Sequence, residues 1–281
     1  MGMQIATNVG ALNAYRNLSS TQNDVSKSLE KLSSGLRINR AADDAAGLAI
    51  SEGLKSQVNG LNVASRNAQD GISVIQTAEG ALTEVHSILQ RMRDLAVQGG
   101  NGSNNDNSRA AITKEAGELS LELRRIAEST NFNGIDLLKG GELTFQVGAG
   151  GTDNDAITID LADVATAVGT LASADGTAVG AGFVITDNAA ARGTVDTIDA
   201  AINAISTARS SLGASQNRFE SAINSLNVSA ENLSAANSRI RDTDMAAEMV
   251  KYTAANILSQ AGTAMLAQAN QANQGVLQLL R

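Results

Sequence analysis

Few side chains in this chain could do chemistry, and their spacing suits none of it. His86 is the single histidine, so no His-rich metal set can form around it. It lies where an apolar stripe changes step, which predicts a partly exposed helix position. Asp43-Asp44 could supply a carboxylate pair, but neighbours on a helix point about 100° apart. A helix cap, or partners for Arg37 and Arg40, is the reading their position supports. Asp153-Asn154-Asp155 looks like the start of a calcium loop without its closing Glu or its spacing. Gly148, Gly150 and Gly151 do not sit between a strand and a helix, so they form no phosphate cradle. The chain has no cysteine, which excludes disulfides and thiolate metal sites. No H-E-x-x-H, G-x-S-x-G or Walker-type lysine occurs. The expectation is no catalytic residue, no cofactor and no metal.

The elements that carry these residues read as long helices. Hydrophobic residues make up 43% of the 281, yet only 2% are aromatic and Trp is absent. Ala, Leu and Ile must therefore do the packing, which suits thin helical bundles. Proline is absent, so nothing forces a helix to break. A net charge of −8 without a basic stripe makes nucleic acid a poor partner. No 18-residue apolar stretch exists to span a membrane. Met1 to Asn17 lacks a Lys/Arg-led apolar run, so export, if it occurs, is expected to need no cleaved signal.

Apolar residues recur at steps of four and three at both ends. From 198 the step gives Ile198, Ile202, Ile205, Arg209, Leu212, Gln216, Phe219, Ile223, Leu226, Ala230, Leu233, Asn237 and Ile240. Such a helix of about 43 residues is roughly 65 Å long. Upstream, Leu54, Val58, Leu61, Ser65, Ala68, Ile72, Ile75, Glu79 and Leu82 form the matching seam, and the stripe then shifts one place to Val85, Leu89, Met92 and Ala96. Sustained seams of this kind predict long helices packed at shallow angles, the chain going out, turning and returning. An outer pair of helices carries diluted seams: Tyr15, Leu18, Gln22, Val25, Leu29, Leu32 and Leu36 in the first, Met245, Met249, Tyr252, Leu258, Ala261, Met265, Ala272, Val276 and Leu279 in the last. That pair is expected to be loose alone and ordered when neighbours cover it. Between the halves, Leu143, Phe145 and Val147 alternate, as do Ile157, Ile159 and Leu161. The spacing predicts a β-hairpin over about 142–161, and a further short strand at 182–186. Charged connectors flank the outer pair, with Arg37, Arg40, Asp43 and Asp44 on one side and Arg239, Arg241, Asp242 and Asp244 on the other.

Leu32-Ser33-Ser34-Gly35-Leu36-Arg37-Ile38-Asn39, running into Ala41-Ala42-Asp43-Asp44-Ala45-Ala46-Gly47-Leu48-Ala49-Ile50, resembles bacterial flagellin. So do Gln90-Arg91-Met92-Arg93-Asp94-Leu95-Ala96-Val97-Gln98, Asn131-Phe132-Asn133-Gly134, Phe145-Gln146-Val147-Gly148, Ser238-Arg239-Ile240-Arg241-Asp242-Thr243-Asp244 and the closing Val276-Leu277-Gln278-Leu279-Leu280-Arg281. The blocks occur in the family's order.

The resemblance implies a mainly α fold, a long antiparallel coiled-coil rod with paired terminal helices and a small β-hairpin region. Its parts would be an inner coiled coil (1–44 and 241–281) and a rod (45–161 and 193–240, helices about 48–98, 109–129 and 194–240). Only a vestigial variable insertion at 162–192 is left. The implied function is a non-enzymatic subunit that polymerises into the extracellular flagellar filament. Export would be as an unfolded chain through the type III apparatus, with assembly at the filament tip. Implied partners are many copies of the chain, an export chaperone, and the filament cap and junction proteins. A subunit-interface set follows in Tyr15, Leu18, Val25, Leu29, Leu32, Met249, Tyr252, Leu258, Met265 and Leu279. In animal-associated members the rod is read by a Toll-like innate receptor, at positions matching Arg91, Leu95, Gln98 and Glu115. A hook–filament junction protein shares the terminal pattern and is the alternative, although the 90–98 and 130–134 blocks favour flagellin. A flagellin with an inserted protease domain fails on the short insertion and the single His. A signalling coiled coil predicts a membrane anchor, and no such segment is present.

Overall fold

The computed structural model describes residues 8–171, 180 and 182–279, the last eight for their backbone alone. In chain order the elements are α1 (Val9–Ser34), α2 (Ala45–Gly99), α3 (Asp106–Ser129), β1 (Asn131–Phe132), β2 (Ile135–Asp136), β3 (Glu142–Gln146), β4 (Ala156–Asp160), α4 (Val164–Val168), α5 (Asn188–Arg241) and α6 (Met245–Leu279). Long helices packed on each other dominate, with two antiparallel strand pairs, β1–β2 and β3–β4. The chain divides into two compact units, Met1–Val58 with Glu231–Arg281, and Asn59–Ala230. Helices α2 and α5 contribute residues to both.

The second unit holds the main core. Along α2 the central buried stripe is Ala68, Gly71, Ile75, Ala78, Leu82, Val85, Leu89, Met92 and Ala96, with Ala64, Val74 and Leu95 among the buried residues beside it. This is one unbroken alternation of threes and fours, so the shift expected after Leu82 does not occur. Gly71 and Ala78 hold the seam positions that sequence reading gave to Ile72 and Glu79, both of which are half-buried. The same happens on α5. Ile198, Ile205, Leu212, Phe219 and Leu226 are buried as expected, but Ala201 and Ser215 are the buried alternates, while Ile202 and Gln216 are half-buried.

At Gly71 a small residue takes the place because a large side chain from α5 fills the space. Phe219 is fully buried, and a Cβ on Gly71 would lie 2.9 Å from its Cζ. The Phe219 ring meets Phe145 of β3 edge-on, centroids 5.7 Å apart, a favoured aromatic geometry. β3 and β4 pair with Leu143 opposite Ile159 and Phe145 opposite Ile157, placing their apolar residues on one face. Asn133 (φ 50°) and Gly134 (φ 81°) close the β1–β2 hairpin, a turn that needs positive φ at both positions.

The expected strand at 182–186 is not formed. Phe183 and Ile185 are buried there, but the N–H and C=O of Val184 bond to the Thr194 hydroxyl (2.9 and 2.7 Å) rather than to another strand. Within 162–192, Val164, Val168 and Leu171 are also buried, so these described residues belong to the core. Residues 172–179 and 181 of that stretch lie outside the described residues.

Gly→Ala inside a helix ordinarily stabilises by about 1 kcal/mol. At Gly80, where a Cβ would meet nothing within 4 Å, the change should raise the melting temperature. At Gly71 the contact with Phe219 should cancel that gain or reverse it. Equal gains at both sites in thermal unfolding would contradict the close packing.

Candidate functional site

Two features of the first unit hold the residues singled out by sequence: the α1–α6 pair and the connectors beside it. α1 starts at an N-cap, Asn8, whose side chain accepts from the Ala11 N–H (3.0 Å). It ends at Gly35, φ 72°, whose N–H bonds back to the Lys31 carbonyl (2.8 Å). α6 starts at Asp244, whose carboxylate accepts from the Ala246 and Ala247 N–H groups.

The two helices run antiparallel. The Asn8 amide donates to the Ala269 carbonyl (3.0 Å), Leu18 lies against Gly262, and the Ser28 hydroxyl donates to Glu248 (2.7 Å). On α1 the covered positions are Ala11, Ala14, Leu18, Thr21, Val25, Ser28 and Leu32. On α6 they are Glu248, Tyr252, Ala255, Ser259, Gly262, Leu266 and Ala269, again an unbroken four–three step. Leu18, Val25, Leu32 and Tyr252 therefore lie where the expected seam put them.

Tyr15 (63% exposed), Leu29, Met249, Leu258 and Met265 (66%) do not. The side chain of Leu279 lies outside the described residues. The physical reason is the small size of the seam. Ala, Ser, Thr and Gly bring the two backbones close and push the large apolar residues aside. On α1, Leu12, Tyr15 and Leu29 each follow a seam position and so sit about 100° around the helix. On α6 the exposed apolar residues lie on both flanks and the back: Met249 follows a seam position, Leu258 and Met265 precede one, and Val250 (70%) and Ile257 point away.

The connectors close on each other through the backbone. Leu36 and Asp242 form an antiparallel bridge, Arg37 N–H donates to the Arg241 carbonyl (2.6 Å), and Thr243 N–H donates to the Gly35 carbonyl (3.0 Å). Asp44 caps α2 by accepting from the Gly47 N–H (2.8 Å). Asp43 accepts from the Arg40 and Asn39 N–H groups, and these bonds hold its carboxyl below the usual range. The alternative, pairing of these aspartates with Arg37 and Arg40, is not formed. Arg37 donates instead to the Ile240 carbonyl and Arg40 to Glu30. Arg241 pairs with Glu52 (2.6 Å), Asp242 accepts from the Ser238 hydroxyl (2.5 Å), and Arg239 is exposed.

The receptor-like positions lie in the second unit. Arg91 and Glu115 form an exposed ion pair (2.6 Å), and Gln98 is exposed. Leu95 is only 1% exposed, so it belongs to the core and not to the patch surface. Its place follows from the α2 period, since it lies three residues after buried Met92 and four before buried Gly99, on the same face of the helix.

Sequence reading missed Ser28 and Glu248, the buried polar pair of the α1–α6 seam. A serine in a polar stretch and a lone glutamate between apolar residues carry no hydropathy signal of burial. A search for one heptad phase in both helices, with small residues admitted, would have found them. His86 is half-exposed, with Nε2 2.9 Å from the Gln90 amide. Among the described residues no cluster of metal-ligating side chains occurs, and no helix is long and apolar enough to cross a membrane.

This arrangement offers contact surface, and comparison with known proteins shows the family to which it belongs. The profile of the bacterial flagellin N-terminal helical region matches residues 5–142, and that of the C-terminal helical region matches residues 195–280. Flagellin from Halalkalibacterium halodurans is 52% identical across 99% of this chain and 100% of its own length. Flagellin from Bacillus subtilis is 48% identical, and the flagellar filament 33 kDa core protein of Treponema phagedenis 47%, each over 99% of this chain and its own full length. The chain belongs to the bacterial flagellin family.

Proposed function

We propose that copies of this chain join through the apolar surface that α1 and α6 leave uncovered, and that this contact builds the inner part of the filament. As a flagellin the chain is a structural subunit of the extracellular flagellar filament, a polymer of many copies, and is not an enzyme. The junction-protein alternative is not favoured. The observation that supports the assembly surface is α6 itself. From Met245 to Leu279 its charged residues are Glu248 and Lys251 alone, and large apolar side chains are exposed on its flanks and back. A helix almost free of charge that exposes large apolar side chains on more than one side belongs in an interior. α1 covers one side, so other copies must cover the rest.

On this reading residues 1–44 and 241–281 are the inner coiled-coil domain and 45–161 and 193–240 the rod, while 162–192 stands in the place of the outer insertion with its buried residues Val164, Val168, Leu171, Phe183 and Ile185 packed into the core. The subunit leaves the cell unfolded through the type III route with an export chaperone, and meets the cap and junction proteins at the filament ends. Marginal stability of the α1–α6 pair favours such export, because small seam residues bury little area.

Ile257→Asp should abolish sedimentable filaments while the helical circular dichroism of the soluble subunit is retained. Filaments of normal length from this variant would remove α6 from the assembly surface. Deletion of residues 245–281 should have the same outcome.

The Arg91–Glu115 pair and Gln98 also form an exposed polar patch fit for a Toll-like innate receptor. Arg91→Ala should lower the response of receptor-bearing reporter cells without changing the melting temperature. Leu95→Ala should instead cost about 2–5 kcal/mol of stability. An unchanged reporter response to Arg91→Ala would remove the receptor from the list of partners.

A further inference from the structure

We propose that Ser28 and Glu248 are positioning residues that set the register in which α1 and α6 pair. The proposal concerns one subunit's own helices and stands apart from the assembly reading. On α1 the larger seam residues Leu18, Val25 and Leu32 recur every seven positions between Ala14, Thr21 and Ser28, so a slide of seven residues presents nearly the same shape and packing alone distinguishes registers weakly. Buried polar side chains are the known remedy in paired helices, because a slide leaves them without partners.

Glu248 is 5% exposed. Its carboxylate accepts from the Ser28 hydroxyl (2.7 Å) and faces Lys251 of its own helix (3.4 Å). Lys31 of α1 acts on it at longer range. Lys27, Arg37, Asp43, Asp44 and Asp244 line the same basin, about 480 Å³ in volume. The hydroxyl first, then Lys251, holds the Glu248 carboxyl below its ordinary value, so it is ionised at neutral pH.

A slide of one heptad in one direction would set Glu248 against Thr21, whose hydroxyl already donates to the Asn17 carbonyl (2.9 Å). In the same slide Asp24 would take the place of Lys31, replacing an attractive charge with a repulsive one. The opposite slide would set Glu248 against Gly35, which has no side chain. Either way a buried carboxylate loses its donor on α1, an expensive outcome. The Leu18–Gly262 contact marks the same register, since a Cβ on Gly262 would lie 3.2 Å from Leu18 Cδ1.

The absence of native cysteine allows a direct test. An added Cβ at Gly262 would be 3.8 Å from Leu18 Cβ, a disulfide spacing. Leu18→Cys/Gly262→Cys therefore reports the native register, and Leu18→Cys paired with Ala255→Cys or Ala269→Cys reports the two slides. The full-length chain is oxidised as soluble subunit and as polymer, and intrachain cross-links are scored by gel mobility. The Gly262 pair should close and the slid pairs should not. Glu248→Ala or Ser28→Ala should lower the native cross-link severalfold and raise a slid one. Glu248→Gln and Ser28→Thr, which keep an acceptor and a donor, should restore the native pattern. Four results would overturn the proposal: an unchanged native yield in the alanine variants, a uniform loss of every cross-link with no slid product, a slid pair closing in the unaltered background, or no closure of any pair in either state.

Discussion

Each long helix can bury one stripe against one partner, and α1 and α6 fill that stripe largely with small residues, interrupted by Leu18, Val25, Leu32, Tyr252 and Leu266. The rest of the first unit follows from this choice. Close approach over Ala, Ser, Thr and Gly holds the pair together with little buried area, and it leaves Leu12, Tyr15, Met249, Val250, Ile257, Leu258 and Met265 outside. Covering a Leu, Ile or Met completely contributes on the order of 1.5–3 kcal/mol. On the proposed assembly surface, the larger share of the apolar stabilisation falls to contacts between copies. A pair with the opposite arrangement would be a stable monomer with a polar exterior.

The second unit uses the same device for another end. Gly71, Ala78, Ala201 and Ser215 hold seam positions between large residues, and at Gly71 the missing side chain leaves room for the Phe219 ring, which also meets Phe145 of β3. Here the large residues are enclosed, and the unit has a complete core without a neighbour. The connectors add little by ion pairing, because Asp43 and Asp44 serve backbone N–H groups. Their contribution is geometric: backbone bonds from Gly35 to Thr243 set where α1 ends and α6 begins.

Much of this was legible in the sequence, and the exceptions share one cause. The long helices, the 142–161 hairpin and the α5 residues Ile198, Ile205, Leu212, Phe219 and Leu226 follow from period and residue size. Phase errors arose where the expected step ran past a small residue to its larger neighbour. Ile72 was preferred to Gly71, Glu79 to Ala78, and Tyr15 and Leu29 to Ala14 and Ser28. Hydropathy reads size as burial, whereas close-packed helices reverse that relation. The strand expected at 182–186 failed differently, since buried Phe183 and Ile185 alternate but the Thr194 hydroxyl bonds the backbone between them. Leu95 was assigned to a surface patch through family resemblance, although its own helical phase places it inside.

Native methionines give the most direct test of the central claim that the polymer covers what the subunit exposes. Met245, Met249 and Met265 are exposed, and Met92 is fully buried. Oxidative footprinting read by peptide mass spectrometry should find the first three reactive in the soluble chain and protected in filaments, with Met92 protected in both. Equal oxidation of Met249 and Met265 in subunit and filament would contradict the account.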